Sequence, residues 1–556
     1  NKKYLPDWRS TLNDPANHMR AFHVLLQSGR YFLLNKNLLL EVCNKVVELQ
    51  CLLVYAFMAS GASLPADFFS HCVQFLLHIL SVVTTCEATP KDDKSALHAL
   101  NLGFSYVKSM EALGVSKIIS RLDEKVGWIN QSLYISMEKA LKEALPEHNM
   151  RYTLRQFNQI VAKCKVVEIA ELIGLVKIVG HPSIEIELGL TKLYNRVTAH
   201  IEVNSEAVEK STGVLMRELV LSYRILNGRY PNVQPELIAH PSLRKLIVSN
   251  LDPHDKAGRR LLRTVKPLDW AKLPLMKTED FDPVDNALIL LKDKALGLER
   301  DKALEILTVA MEHEYSGAHP PIHKVCRGSR LGDIKQRRAL LDFLINTMST
   351  KSFHKYLTGF MCEGAWPTSV KNQHVIKTTP KELEHKPEGR FFGASPQFER
   401  NRRIVQEMNV MGLMKRFFPD QIMTPDELTM IRKLYSFRCM KMLYPHHTVI
   451  QVSFDFSKWN NNMRAASIDI PAEVVLDAYF GTRLFGRTMK FYNGALIYFN
   501  ESGHTRHWDG QEGGIEGLNQ ATWSLVFLAG IKAALTSSPF TESWYINPNS
   551  SRAALI

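Results

Sequence analysis

The chain has 556 residues, 45 % of them apolar, and a formal net charge of +13 at pH 7. That apolar fraction supplies cores for roughly three to five domain-sized units and excludes wholesale disorder. The positive balance suits a polyanion such as nucleic acid, and suits plain solubility equally well.

The first residue is Asn1 and no basic-then-apolar leader follows, so the chain is expected to begin inside a longer protein. Residues 1–220 read mainly as helix: Leu38, Leu39, Leu40, Val42, Val46 and Val47 recur at helical spacing, as do Phe75, Leu76, Ile79 and Val82. Pro65, Pro90 and Pro146 mark loops, and residues 88–95 form a polar connector. The apolar patches at 51–58 and 75–83 are too short to span a bilayer, so no membrane partner is expected. Residues 221–350 hold loops rich in Pro, His and Asp, then a basic helix around 336–344. From Thr448, Val449, Gln451, Ser453 and Asp455 alternate with Ile450, Val452, Phe454 and Phe456, the period of a strand. A helical stretch near 471–480 follows, then a hairpin candidate at 491–499 (FYNGALIYF). A Gly-rich turn at 510–517 leads into an apolar helix at 522–535.

Eight cysteines form no C-x-x-C pair, and no Cys/His set has zinc spacing, which fits thiols used as small apolar residues in a reducing compartment. Three stretches carry candidate chemistry. In VSFDFSKWNNNMR (452–464) an apolar strand delivers Asp455 to its end, followed by Lys458 and Trp459. Nucleotidyl transfer needs carboxylates held rigidly so that divalent cations bridge the attacking oxygen and the phosphates. A lone Asp in that position is also what an ordinary turn uses. In HWDGQEGGIEGLNQATWS (507–524) the glycines Gly510, Gly513, Gly514 and Gly517 permit positive φ and close approach of a nucleic-acid backbone. The helix that follows presents amides to a phosphate or ribose, and Asn519 and Gln520 suit sugar hydroxyls. The plain alternative is a Gly-rich turn; no G-K-[ST] ending makes it a Walker loop. In PKELEHKPEGRFFGASPQFERNRR (380–403), Lys381, Lys386, Arg390, Arg400, Arg402 and Arg403 are interleaved with aromatics, a pattern shared by nucleic-acid contacts and salt-bridged surfaces.

In wording and order these stretches resemble the RNA-dependent RNA polymerase of non-segmented negative-strand RNA viruses. DFSKWNNNMR (455–464) resembles its motif A in the D-x-x-K-W-N form, WDGQEGGIEGLNQATWS (508–524) its motif B, and KELEHKPEGRFF (381–392) its basic motif F. VGHPSIEIELGLTKL (179–193), DWAKLPLMKTEDFDPVDNALILLKDKA (269–295) and IKQRRALLDFL (334–344) are similar to further elements of that family, and all six keep its order. Rhabdovirus-like, nyamivirus-like and chuvirus-like members all remain open.

The resemblance implies an α+β fold: a helical N-terminal region (1–220), a connection to the fingers (221–350), fingers with motif F (351–447), and an incomplete right-hand palm with motifs A and B (448–556). It implies template-directed RNA synthesis, with Asp455 as catalytic carboxylate and ligand of Mg²⁺ or Mn²⁺. Lys381, Lys386, Arg390 and Lys458 would meet the ribonucleoside triphosphate. Gly513, Gly514, Glu516 and Asn519 would shape the template and ribose site. Implied partners are RNA template and product, a phosphoprotein-type cofactor and nucleoprotein-coated RNA, in the virion and host cytoplasm, with the nucleus open. The family's motif C, a G-D-N turn supplying the second carboxylate, is expected beyond motif B and does not occur here; Gly332 and Asp333 precede Ile334, upstream of motif A. The alternative reading is a catalytically inactive viral remnant or truncated product that binds RNA or partner proteins.

Overall fold

The computed structural model describes residues 32–35, 38–41, 71, 75, 93–122, 135, 150–178, 185–282, 296–297, 337–338, 374–381, 388–395, 397–419, 421, 423–426, 428–430, 432, 456, 458–501 and 504–536. Two compact units divide the chain: residues 1–186 with 381–389, and residues 187–380 with 390–556.

In the first unit, β1 (Phe32–Asn35) and β2 (Leu38–Glu41) pair antiparallel with Asn35 opposite Leu38. Leu38, Leu39 and Leu40 are therefore strand where helix was expected. Three consecutive leucines carry no period, and a short apolar run satisfies either element. The remaining residues of that pattern, and most of the Phe75 pattern, lie outside the described residues; Phe75 itself is helical, buried and 5.9 Å from the Phe157 ring. Helix α1 (Asp93–Leu122) starts inside the expected polar connector. It packs on α3 (Val166–Gly174) at Gly114, where a Cβ would fall 2.0 Å from the Ile173 side chain. Arg121 at the end of α1 donates to the carbonyls of Val161 (2.9 Å) and Cys164 at the end of α2 (Met150–Lys163), satisfying acceptors that a helix C-terminus leaves open.

The second unit is α+β and is organised around α5 (Ser205–Asn227). Asn204 caps its start by accepting the Ala207 amide at 3.1 Å, and Gly228 ends it in the left-handed region at φ 71°. Val208, Leu215, Leu219 and Tyr223, among others, form its buried stripe. α4 (Ile186–Val197) precedes it; α6 (Pro241–Val248), α7 (Lys256–Leu262) and α8 (Pro267–Ala271) follow. α8 crosses α5 so closely that a Cβ on Gly213 would lie 1.8 Å from the Pro267 carbonyl oxygen.

A four-stranded sheet runs in the order β6 (Phe391–Ala394), β5 (His374–Pro380), β7 (Ala495–Glu501), β8 (His504–Trp508). Its centre pairs β5 and β7 parallel; both outer pairs are antiparallel. Two further short strands, β3 (Leu296–Gly297) and β4 (Arg337–Arg338), pair antiparallel. The two described residues of the expected basic helix are thus extended, because they serve as a ladder partner, and the rest of that helix lies outside the described residues.

Between β6 and β7 come α9 (Gln397–Phe417), α10 (Trp459–Asn462) and α11 (Ala465–Ala472). α11 contains Pro471 and continues through a π-turn (Glu473–Asp477) into Ala478–Phe480, so the expected helix starts several residues earlier. A proline in mid-helix lacks its amide and crowds the preceding turn, which the wider π-turn accommodates. The expected hairpin at 491–499 is differently divided. Lys490–Asn493 is a helical turn, α12, and the hairpin is β7 with β8. Phe491 and Tyr492 are both buried, and the Tyr492 amide closes the turn on the Met489 carbonyl at 3.0 Å before the chain enters β7. The last helix, α13 (Gln520–Thr536), is apolar on nearly all sides and packs on α5, α9 and α11. Lys532 ties it to Glu218 of α5 at 2.7 Å. The strand expected to end at Asp455 lies outside the described residues. No described helix is long and apolar enough to cross a membrane.

The α5–α8 crossing yields a direct test. Gly213→Ala places a methyl group against backbone that cannot rotate away, so stability should fall by about 1–3 kcal/mol in chemical denaturation. An unchanged midpoint would contradict the crossing.

Candidate functional site

α4 ends in carbonyls that no further helical turn can satisfy. Two segments distant in sequence supply the donors. The amides of Glu512 and Gly513 both reach the Val197 carbonyl, at 2.9 and 2.8 Å. Arg464 Nη2 donates to the carbonyls of Arg196 (3.1 Å) and Ala199 (2.6 Å), while its Nη1 donates to those of Asn461 and Met463, both at 2.8 Å. Its Nε lies 3.7 Å from Glu512 Oε2, and that carboxylate also meets His200 Nδ1 at 3.4 Å. A cation at a helix C-terminus is favoured by the helix dipole, and the fork of Arg matches several acceptors at once.

The α10 turn and the Gly-rich loop are joined directly as well. The Gly514 amide donates to the Asn460 carbonyl at 3.1 Å, and Asn461 Nδ2 donates to the Gly514 carbonyl at 2.9 Å. A Cβ on Gly513 would stand 2.3 Å from the Asn461 oxygen; on Gly514 it would strike the Trp523 ring at 2.8 Å and the Asn460 oxygen at 2.9 Å. The close approach that these glycines permit is therefore to the chain's own backbone and to Trp523. Gly510 and Gly517 adopt φ of 65° and 97°, which turn the loop out of β8 and into α13. Phe456 and Trp459 both pack edge-on against Phe527 of α13, with ring centres 4.9 and 5.5 Å away.

Of the candidate site residues, all but two lie among the described residues. Asp455 and Lys386 lie outside the described residues, although Phe456, next in the chain to Asp455, rests on α13. Lys458 is exposed, has φ 54° and begins α10. Gly513 and Gly514 are buried in the junction with that turn. Glu516 is half-buried, and its carbonyl accepts the Gly393 amide of β6 at 2.9 Å; exposed Arg390 leads into the same strand. Asn519 is buried before α13, and its carbonyl accepts the Trp523 amide. Lys381 is half-buried and belongs to the first unit.

Three side chains hold the site in ways the sequence did not signal, although Arg400 was already named among the cations of 380–403. Arg464 is one. Arg400 on α9 is another, donating to the Gly517 carbonyl at 3.1 Å. The third is Glu407, also on α9, whose carboxylate accepts the amide of Ala521 and the hydroxyl of Thr522 (2.6 Å) at the start of α13. Burial pushes Glu407 up to about 7, against the opposing pull of those hydrogen bonds. The nearby Asn519 side chain also favours the ionised form of this carboxylate.

Two buried carboxylates sit in α11 and its π-turn, and both hold the loop that returns to β7. Asp469 accepts the amides of Met489 and Lys490 and the Thr488 hydroxyl; Asp477 accepts the amides of Leu484, Phe485 and Gly486 and the Thr482 hydroxyl. Burial raises both, Asp469 to about 6. Their oxygens are occupied by this loop. Among the described residues no three His, Cys, Asp or Glu side chains converge as a metal site.

A family model described as Mononegavirales RNA dependent RNA polymerase matches residues 30–542. The RNA-directed RNA polymerase L of Drosophila melanogaster sigma virus is 26% identical over 62% of this chain and 16% of its own length. That of Taro vein chlorosis virus is 24% identical over 95% of this chain and 27% of its own, and the large structural protein of rabies virus is 25% identical over 77% and 20%. The chain thus spans about a quarter or less of the length of these relatives.

Glu407 makes the helix junction sensitive to pH. The folded state binds its proton more tightly than the unfolded chain, so between the ordinary carboxylate range near 4.5 and about 7 its contribution to stability falls as pH rises. Thermal melts of wild type and Glu407→Gln should differ most in favour of wild type near pH 5, with the gap narrowing towards pH 8. A difference independent of pH would contradict the half-buried, proton-binding carboxylate.

Proposed function

Since the chain belongs to the Mononegavirales RNA-dependent RNA polymerase family, we propose that it carries the front and central part of a catalyst for template-directed RNA synthesis. In the full-length protein the reaction is attack of an RNA 3′ oxygen on the α-phosphorus of a ribonucleoside triphosphate. Pyrophosphate leaves and the hydroxyl proton is lost. The products are viral genome copies and mRNA.

The observation that supports this most is the junction of the α10 turn with the Gly-rich loop through Arg464, Gly513 and Gly514. Two stretches that resemble motifs A and B are built into one rigid corner, as transfer chemistry requires of groups that position a nucleotide. In this reading Asp455 holds Mg²⁺ or Mn²⁺. When bound, the cation activates the attacking oxygen and screens phosphate charge. Lys381, Lys386, Arg390 and Lys458 neutralise the triphosphate. Glu516 and Asn519 shape the ribose and template side, while Gly513 and Gly514 keep the loop tight against α10.

The larger arrangement proposed is a right hand whose fingers comprise 351–447 and whose palm begins at 448, preceded by the helical region 1–220 and its connection 221–350. Its partners are RNA, a phosphoprotein-type cofactor and nucleoprotein-coated template, in the virion and host cytoplasm.

The test is made in the full-length polymerase. Asp455→Ala removes the proposed metal ligand, so nucleotide addition should drop by at least ~10²–10³-fold while RNA affinity stays within a few-fold. Near-normal elongation by this variant would overturn the assignment.

A further inference from the structure

Residues 244–266 hold seven cations, Arg244, Lys245, Lys256, Arg259, Arg260, Arg263 and Lys266, against two acids, Asp252 and Asp255. All seven cations are exposed, and among the described residues none has an ion-pair partner. Arg244 donates only to the Glu236 backbone carbonyl. A solvated surface normally interleaves both signs, and this one does not.

The placement of α7 organises the charge. Gly258 is buried, and a Cβ there would lie 2.0 Å from the Asp252 carbonyl oxygen, so the helix is pressed flat on the 252–253 backbone. Leu261 and Leu262 are half-buried. Lys256, Arg259, Arg260 and Arg263 fall at i, i+3, i+4 and i+7, which lines them along one outward face. That stripe is about 10 Å long at 1.5 Å rise per residue. Lys266 continues it towards α8, and Arg244 and Lys245 flank it on α6, which packs beside α7.

We infer that the outward face of α7, with the adjoining cations of α6 and α8, is a binding surface for the phosphate backbone of single-stranded RNA. The family reading enters only in naming RNA as the polyanion. Four of the seven cations are guanidiniums, which pair with phosphate through two parallel hydrogen bonds. Residues 244–266 contain no Phe, Tyr or Trp, and exposed His254 is their one ring on which a base could stack, so recognition here is chiefly of the backbone and largely independent of sequence. A protein partner would need an apolar centre. Exposed Val248 lies on α6, and the α7 stripe has none.

The test is fluorescence anisotropy of the chain with a labelled 20-nucleotide single-stranded RNA across a range of salt. Replacing Lys256, Arg259, Arg260 and Arg263 by Gln should raise Kd at least about tenfold and reduce the log–log salt slope by roughly 2–3, near 0.7 per lost contact. A control in which exposed Arg155, Lys163, Lys165 and Lys415 become Gln should change Kd less than about threefold. Equal losses in both variants, an unchanged slope, or tighter binding of polyglutamate than of RNA would overturn the inference. Photo-crosslinking of wild-type chain to the same RNA tests it without any variant: cross-linked peptides should come from 244–266, and their absence there counts against it. RNA binding that survives the four-site change but is lost in Arg390→Gln with Lys458→Gln would sink this surface and leave the family reading intact. If wild type binds no RNA, the surface falls, and Asp455→Ala in the full-length protein decides the family reading separately.

Discussion

Arg464 is the group on which the candidate site depends. Its side chain is 5% exposed, and it donates to four backbone carbonyls from two stretches far apart in sequence. Hydrogen bonds from a charged donor are worth roughly 1.5–3 kcal/mol each, and a buried carbonyl that loses its donor costs about 1–3 kcal/mol. The end of α4, the α10 turn and the first half of the Gly-rich loop are therefore one mechanical piece. Gly513 and Gly514 complete it, because the amides that meet Val197 and Asn460 could not come so close if either residue carried a Cβ.

The second half of the loop is held from α9. Arg400 takes the Gly517 carbonyl and Glu407 takes the first amides of α13, so one helix grips the loop at its last turn and at the start of the following helix. Carboxylates recur in this role: buried Asp469 and Asp477 pin the 481–490 loop by the same backbone-amide contacts. Each is an acid that burial pushes towards its neutral form and that converging amides hold in place. The result is a corner whose backbone is over-determined, which is what a site that must position a reacting phosphate needs.

Longer apolar stretches bounded by turn signals were legible in sequence. The apolar helix after the Gly-rich turn is present as α13, and the helix near 471–480 is present within α11 and its π-turn. Short apolar runs were not: Leu38–Leu40 became strand, and Phe491 with Tyr492 became a helical turn, because pairing partners and burial on both sides decide such segments. The loop glycines were read as places where a nucleic-acid backbone comes close; at Gly513 and Gly514 the close neighbours in the structure are the protein's own backbone and Trp523. Arg464 lay inside a quoted motif, yet two of its acceptors are 268 and 265 residues away, and no local pattern signals them. Glu407 reads as one more charge on a helix until α13 is docked against it.

Amide hydrogen exchange in wild type and Arg464→Ala tests the shared corner most directly. The account predicts that the Gly513 and Gly514 amides are protected in wild type, and that both lose protection together in Arg464→Ala while amides in the middle of α13 keep theirs. Fast exchange of Gly513 and Gly514 in wild type, or protection that survives removal of the guanidinium, would contradict it.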